Sequence, residues 1–203
     1  MKLEVIGRLG CGKTTLCSAL KSMSGFHVLK EPVSENPYLD GFYKGMDYSF
    51  IMQVYLMNYH FEQHKLRFDD PVFCKKYPNV VMDSTIHSNL IFGRTMYEQG
   101  LMSGDEIDTL EKIYNIYLSK VTKSDLLVWV DCDNEKLLRN ISHRDRKCER
   151  NIQLEYLCAL EEQHRYFYQE YQGNKMILDI TNLDLHNRND LNIIYNMIID
   201  NAP

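Results

Sequence analysis

The sequence predicts an α/β fold: a three-layer, doubly wound parallel sheet of five strands with helices on both faces. Three observations lead there. Short apolar or β-branched runs alternate with helix-length patterns along the whole chain. Those runs lack apolar-polar alternation, the mark of strands buried on both faces. The first of them passes through a glycine-rich turn directly into a helical pattern.

The first strand is expected at Lys2–Ile6, an apolar run stopped by Gly7, and the helix that follows it at Lys13–Met23. His27–Leu29 is a short second strand, and the apolar spacing of Phe50, Met52, Tyr55, Leu56 and Tyr59 sets a helix over Tyr48–Phe68. Asn79–Met82 is the third strand and Thr85–Gln99 the helix after it, closed by Gly100 as a left-handed terminator. Ser103 ahead of Asp105 and Glu106 reads as the N-cap of a helix over Asp105–Thr122, with acids in the first turn where the dipole favours them. Leu126–Asp131 and Lys175–Ile180 complete the strands, and Glu135–Ser142, Ile152–Tyr171 and Asp190–Asp200 complete the helices. No repeat or linker interrupts the pattern, so residues 1–203 form one domain.

Composition narrows the function classes. Hydrophobic residues at 44% and charged residues at 25% are those of a globular chain, which excludes disordered and collagen-like classes. With 23 Lys and Arg against 28 Asp and Glu, the net charge of −5 supplies no basic field for nucleic acid or an anionic membrane. No apolar run approaches the ~18 residues of a spanning helix. The chain opens directly on its first strand, so the expectation is a soluble, unexported, cytoplasmic protein. Six cysteines without a CxxC pair read as free thiols in a reducing compartment.

The chemistry starts at Gly7-Arg8-Leu9-Gly10-Cys11-Gly12-Lys13-Thr14, a complete GxxxxGK[ST] followed by Thr15. Between a strand and a helix, its backbone N–H groups converge on phosphate oxygens. Lys13 adds a point charge and Thr14 a ligand for Mg²⁺. A strand-end carboxylate is the natural second ligand. Asp83 and Asp131 compete for it, with Asp83 favoured if its strand lies beside the first. His143 to Arg150 joins two helical patterns, and its clustered cations, Arg144 and Arg146 among them, suit a lid over 143–151 that closes on ATP and shuts out water. Glu31, past the second strand and held by Pro32, is a candidate general base for a hydroxyl nucleophile. Gln53, set among apolar residues, needs a partner; its amide either pairs with the protein or exchanges two hydrogen bonds with a nucleobase edge.

The chain resembles the deoxyribonucleoside kinase family, which includes deoxyadenosine, deoxyguanosine and deoxycytidine kinases. Its markers are the phosphate loop, Glu31-Pro32-Val33 with Asn36-Pro37, Gln53-x-Tyr55-Leu56 and Asp83-Ser84-Thr85-Ile86 through Asn89 to Phe92. They end in Arg144-x-Arg146-x-x-Glu149 and Leu154-Glu155-Tyr156-Leu157. The resemblance implies a P-loop kinase fold and ATP-dependent phosphorylation of a deoxyribonucleoside 5′-hydroxyl, with Mg²⁺. It implies Glu31 as base, Gln53 with Asn89 on the nucleobase edge, Phe92 stacked on the base, and Tyr43 with Glu149 on the 3′-hydroxyl. Lys13, Arg144 and Arg146 would hold phosphates, Thr14 and Asp83 the metal. A homodimer through the helices at Thr85–Gln99 and Ile152–Tyr171 is implied as well.

Three positions depart from the family pattern. Ser84 stands where an arginine belongs, His60 where many members have another arginine, and Asn89 where several have an aspartate. Either the cation missing at Ser84 leaves a gap, so that Ser84→Arg raises turnover, or His60, His87 or a lid arginine fills it; the first is the expectation. A thymidylate-like nucleoside monophosphate kinase would want cations where this chain has Glu31 and Glu35. A non-catalytic relative would not need an intact Lys13, Glu31 and lid.

Overall fold

A computed structural model describes residues 1–45, 47–144, 146 and 152–203, apart from the side chains of Ser34 and Tyr43. Its strands are β1 (Lys2–Ile6), β2 (His27–Leu29), β3 (Val80–Asp83), β4 (Leu126–Asp131) and β5 (Lys175–Asp179). They form one sheet in the order β2-β3-β1-β4-β5, and every pairing is parallel. The central strands β1, β3 and β4 are buried almost throughout; β3 and β4 accordingly read as apolar runs up to their terminal Asp, while β1 buries Glu4 among its apolar residues. β5 differs from the expectation. As an edge strand it alternates, burying Met176 and Leu178 while Ile177 is exposed.

One face of the sheet is covered by α1 (Lys13–Ser24), α7 (Asn134–Arg144) and α9 (Arg188–Asn201). Leu16, Leu137, Ile194 and Ile198 from these helices pack on Leu3, Val5, Val81 and Val128. The other face carries α5 (Ile86–Glu98) and α8 (Leu154–Glu170), whose Ile91, Leu160 and Phe167 meet Ile6, Leu127 and Trp129. Outside α5 lie α3 (Ser49–Gln63) and α6 (Gly104–Leu118), joined to it through Met52, Leu56, Leu90 and Leu110. A Cβ at Gly93 would collide with Leu110, so that glycine sets how closely α5 and α6 approach.

Ser103 caps α6 as the sequence indicates and exchanges capping-box bonds with Glu106. Gly100, at φ +70, ends the preceding helix. Two short helices escaped the sequence pattern, α2 (Leu39–Tyr43) and α4 (Pro71–Lys76). The second carries a legible signal: Asp70 accepts from the Val72 and Phe73 amides, and Pro71 occupies the first turn. The helix expected over Tyr48–Phe68 stops regular α geometry at Gln63 and widens into a π turn over His64–Phe68.

β1 connects to β2 on one side of the sheet and β3 connects to β4 on the other. The carboxyl ends of the adjacent strands β1 and β3 therefore open a crevice, the place where ligands bind in such sheets.

Candidate functional site

The loop after β1 is built around its own lysine. Lys13 Nζ donates to the carbonyls of Gly7 and Arg8, both at 2.9 Å, and so holds the turn closed. Gly12, at φ +90, opens α1, and a Cβ there would stand 2.8 Å from Leu185. Gly10, at φ +79, lies against the Leu137 carbonyl and accepts a bond from Asn140 Nδ2 at 2.8 Å. Cys11 is fully buried, and burial pushes its thiol pKa up. Leu9 projects into the neighbouring cavity.

Arg8 is not turned toward this loop's outer side. Its guanidinium, 1% exposed, donates twice to Asp131 Oδ1 (3.1 and 2.9 Å), to Asn134 Oδ1 at 2.7 Å and to the Cys132 carbonyl, and pairs with Glu161 at 3.0 Å. Only its backbone is left for a ligand. This also separates the two candidate acids. β3 and β4 both flank β1, so adjacency alone does not choose between Asp83 and Asp131. Asp131 is committed to Arg8, whereas Asp83, 3% exposed, has no hydrogen-bond partner on Oδ1 among the described residues.

In front of the loop lies a polar cleft of about 690 Å³. Gly12, Thr14 and Thr15 line it from the loop and α1, Arg139 and Arg144 from α7, and His186 from the segment after β5. That last segment was missed by sequence reasoning. Lys136 fixes it by donating to the carbonyls of Ile180 and Leu183, a contact no sequence pattern announces.

A second, more apolar cavity lies beyond Lys13. Leu39, Phe42, Met52, Phe92, Met96 and Tyr156 form its walls, and Glu31, Ser84, Gln53 and Asn89 supply its polar groups. Phe42, Met96 and Tyr156 add to the residues expected here. Lys13 and Arg146 line both spaces. Burial raises the Glu31 pKa and the Asp83 charge adds to it, while Lys13, Arg146 and a hydrogen bond with Ser84 pull the other way. Ser84 is the only non-glycine residue with positive φ among those described, at +68. Of the three groups considered as substitutes for the missing arginine, Arg146 lines this cavity. His60 stands behind Asn89, and His87 is turned to Tyr114 and Glu4.

Gln53 is 2% exposed and is satisfied by side chains. Its Oε1 accepts from Asn89 Nδ2 at 3.3 Å, and its Nε2 makes a weak 3.7 Å contact with Met96 Sδ. Asn89 Oδ1 lies 2.8 Å from His60 Nδ1. The site therefore brings together Lys13, Glu31, Gln53, Asn89, Phe92 and Arg146, with Asp83 packed close enough to act on the Glu31 charge. The Tyr43 side chain, Glu149 and most of the expected lid over 143–151 lie outside the described residues.

Comparison with known proteins identifies the family and the fold. The deoxynucleoside kinase family profile matches residues 3–199. A deoxyguanosine kinase of Dictyostelium discoideum is 30% identical over 197 residues, 95% of this chain, and this chain spans 66% of that longer relative. A Bacillus subtilis deoxyguanosine kinase is 27% identical over 90% of this chain and 85% of its own. The solved structure of a deoxyadenosine kinase from M. mycoides with bound dCTP superposes with a TM-score of 0.84 at 25% identity, covering 98% of this chain and all of that one.

Proposed function

The chain belongs to the deoxynucleoside kinase family, and on that premise we propose that it transfers the γ-phosphoryl group of ATP to the 5′-hydroxyl of a deoxyribonucleoside. The observation that carries the proposal is the shared wall of the two cavities. Lys13 and Arg146 line both the phosphate-loop cleft and the neighbouring cavity that holds Glu31. A nucleoside in the second cavity would present its hydroxyl between a carboxylate and two cations, and the transferring group would enter from the first.

Each residue then has a task. Glu31, with its pKa raised by burial, suits accepting the proton of an attacking hydroxyl better than an exposed carboxylate would. Lys13 would exchange its bonds to the Gly7 and Arg8 carbonyls for phosphate oxygens, and Arg146 and Arg144 would meet the charge spread over the transferring group. Phe92 offers a plate for the base, and Gln53 and Asn89 read its edge. Tyr43 and Glu149 are assigned to the 3′-hydroxyl. Thr14 and Asp83 fit a Mg²⁺ ion, because the buried Oδ1 of Asp83 lacks a partner among the described residues and a divalent cation satisfies it. Bound there, Mg²⁺ supplies charge neutralisation at the phosphates.

An uncharged nucleoside is the better acceptor than a monophosphate in this reading, because the segment after β2 carries Glu31 and Glu35 where an acceptor phosphate would need cations. Homodimerisation through α5 and α8 is part of the same reading, supported by the exposed Tyr97, Leu101 and Tyr166 on that side. Five free cysteines among the described residues support a reducing, cytoplasmic setting.

The test is Glu31→Gln. Turnover with saturating MgATP is expected to fall ~10²–10⁴-fold while nucleoside affinity changes far less. Equal losses in both would show that Glu31 only positions the sugar. Folded protein that phosphorylates no deoxyribonucleoside would overturn the proposal.

A further inference from the structure

Behind the acceptor cavity His60, Asn89 and Gln53 form one directional hydrogen-bond chain, and we infer that it presents N–H donors to the nucleobase and so selects a 6-oxopurine deoxyribonucleoside over a 6-aminopurine one. This inference rests on the kinase reading above and names the substrate class of the same site.

The direction of the chain is set at its buried end. His60 is 1% exposed and stands one layer behind the cavity wall. Burial holds its imidazole neutral, with a pKa lowered to about 4, so the ring carries a single proton. Its Nε2 is buried with no hydrogen-bond partner among the described residues, and its Nδ1 lies 2.8 Å from Asn89 Oδ1. A proton on Nε2 would leave a buried N–H with no acceptor, the costlier of the two ways to leave that atom. The proton therefore sits on Nδ1 and donates to Asn89 Oδ1.

That bond orients the next two amides. With its oxygen held by His60, Asn89 turns Nδ2 to Gln53 Oε1 at 3.3 Å. Gln53, with its oxygen occupied, turns Nε2 to Met96 Sδ at 3.7 Å, a weak acceptor that a ligand atom readily replaces. Both amide nitrogens belong to residues lining the cavity. The wall thus offers the N–H of Gln53 Nε2 and the second N–H of Asn89 Nδ2. A 6-oxopurine carries two adjacent acceptors, O6 and N7, which match such a pair. A 6-aminopurine carries an amino donor in place of O6, and its N–H would meet another N–H. The opposite tautomer of His60 would reverse both amides and the preference with them. His60 is accordingly a positioning residue that acts through Asn89.

The test compares kcat/KM for deoxyguanosine, deoxyinosine, deoxyadenosine and 7-deazadeoxyguanosine in the parent, His60→Phe and His60→Gln proteins. Deoxyinosine isolates O6 from the 2-amino group, and the 7-deaza compound removes N7. Expected for the parent is a preference of about tenfold or more for deoxyinosine over deoxyadenosine, with a loss on removing N7. His60→Phe should collapse that ratio while KM for MgATP stays unchanged, and His60→Gln, which can still donate, should restore part of it. A merely structural role would lower both nucleosides together and leave the ratio intact. Equal or better use of deoxyadenosine by the parent overturns the inference, as does an unchanged ratio in His60→Phe. If His60→Phe does not fold, the parent panel decides. If no nucleoside is phosphorylated, the kinase reading fails, and calorimetric binding of deoxyinosine against deoxyadenosine still decides the inference.

Discussion

Ser84 shows how one position changes meaning between sequence and structure. In the sequence it is a serine where an arginine belongs, a gap. In the fold it occupies a left-handed turn at the end of β3, donates its amide to the Val5 carbonyl at 3.2 Å and bonds the Glu31 carboxyl. Arg146 lines the same cavity and its charge acts on Glu31, which supports a lid arginine standing in for the missing one and argues against the benefit expected of an added arginine. Ser84→Arg should remove the bond to Glu31 and crowd a second guanidinium beside Arg146 and Lys13. The left-handed backbone is already borne by a side chain at this position, so the fold should survive. Steady-state turnover with saturating MgATP is expected to drop by about tenfold, the loss of one charge-assisted hydrogen bond. A rise in turnover would show that Arg146 does not reach the reacting oxygen.

At the level of elements, the outer sides of α5 and α8, with the turn that follows α5, expose large apolar side chains. Tyr97, Leu101 and Tyr166 are exposed by 48%, 45% and 52%. The faces are held in register by a Gln163–Glu98 hydrogen bond of 2.5 Å and by Arg94 stacked over the Tyr166 ring at 5.6 Å. Apolar groups on such a rigid face gain by covering one another, at roughly 25 cal/mol per Å² removed from water. If the proposed homodimer forms through this face, Tyr166→Glu should shift the protein from twice the protomer mass to the protomer mass in sedimentation equilibrium, with far-UV circular dichroism unchanged. A parent that sediments as a monomer would refute the pairing. Tyr166 is legible as a surface residue of an amphipathic helix. That its neighbours come from α5 follows only from how the two helices pack.

The whole molecule is built to weaken in acid. β1 buries Glu4 among helices, where its carboxylate meets His64 at 3.3 Å and His87 at 3.6 Å. Burial alone would raise its pKa, but the two histidines together bring it well below the usual carboxylate range. His60 is lowered from 6.5 to about 4 and His164 from 6.5 to about 3, each by burial. A depressed histidine contributes stability above its unfolded value and loses it as pH falls toward the folded one, and a depressed carboxylate does the same below about 4.5. Full titration of His60 alone corresponds to roughly 3 kcal/mol. Glu31 and Asp131, whose pKa values are raised by burial, run in the opposite sense. The two histidines begin to titrate in the unfolded chain near pH 6.5, and the melting temperature is expected to fall from pH 7 to pH 4. In His164→Phe the slope between pH 6.5 and 4 should flatten. A melting temperature constant over that range would remove this account of the buried histidines.

The sequence by itself determined the five strands, the order of the main helices and the phosphate loop, and it singled out Lys13, Glu31 and Gln53 as candidates, whereas Asn89 and Phe92 entered only through the family resemblance. These are signals of local period and of residue type at fixed spacing, which a chain carries before it folds. Tertiary structure alone decided which strand-end acid is free, because Arg8 claims Asp131 across more than a hundred residues and leaves Asp83 Oδ1 without a partner. It also decided that Gln53 pairs with Asn89 and Asn89 in turn with His60, and that Tyr156 lines one cavity and the segment around His186 the other. Such contacts link residues far apart in the chain, and their energies depend on burial and direction, neither of which spacing encodes.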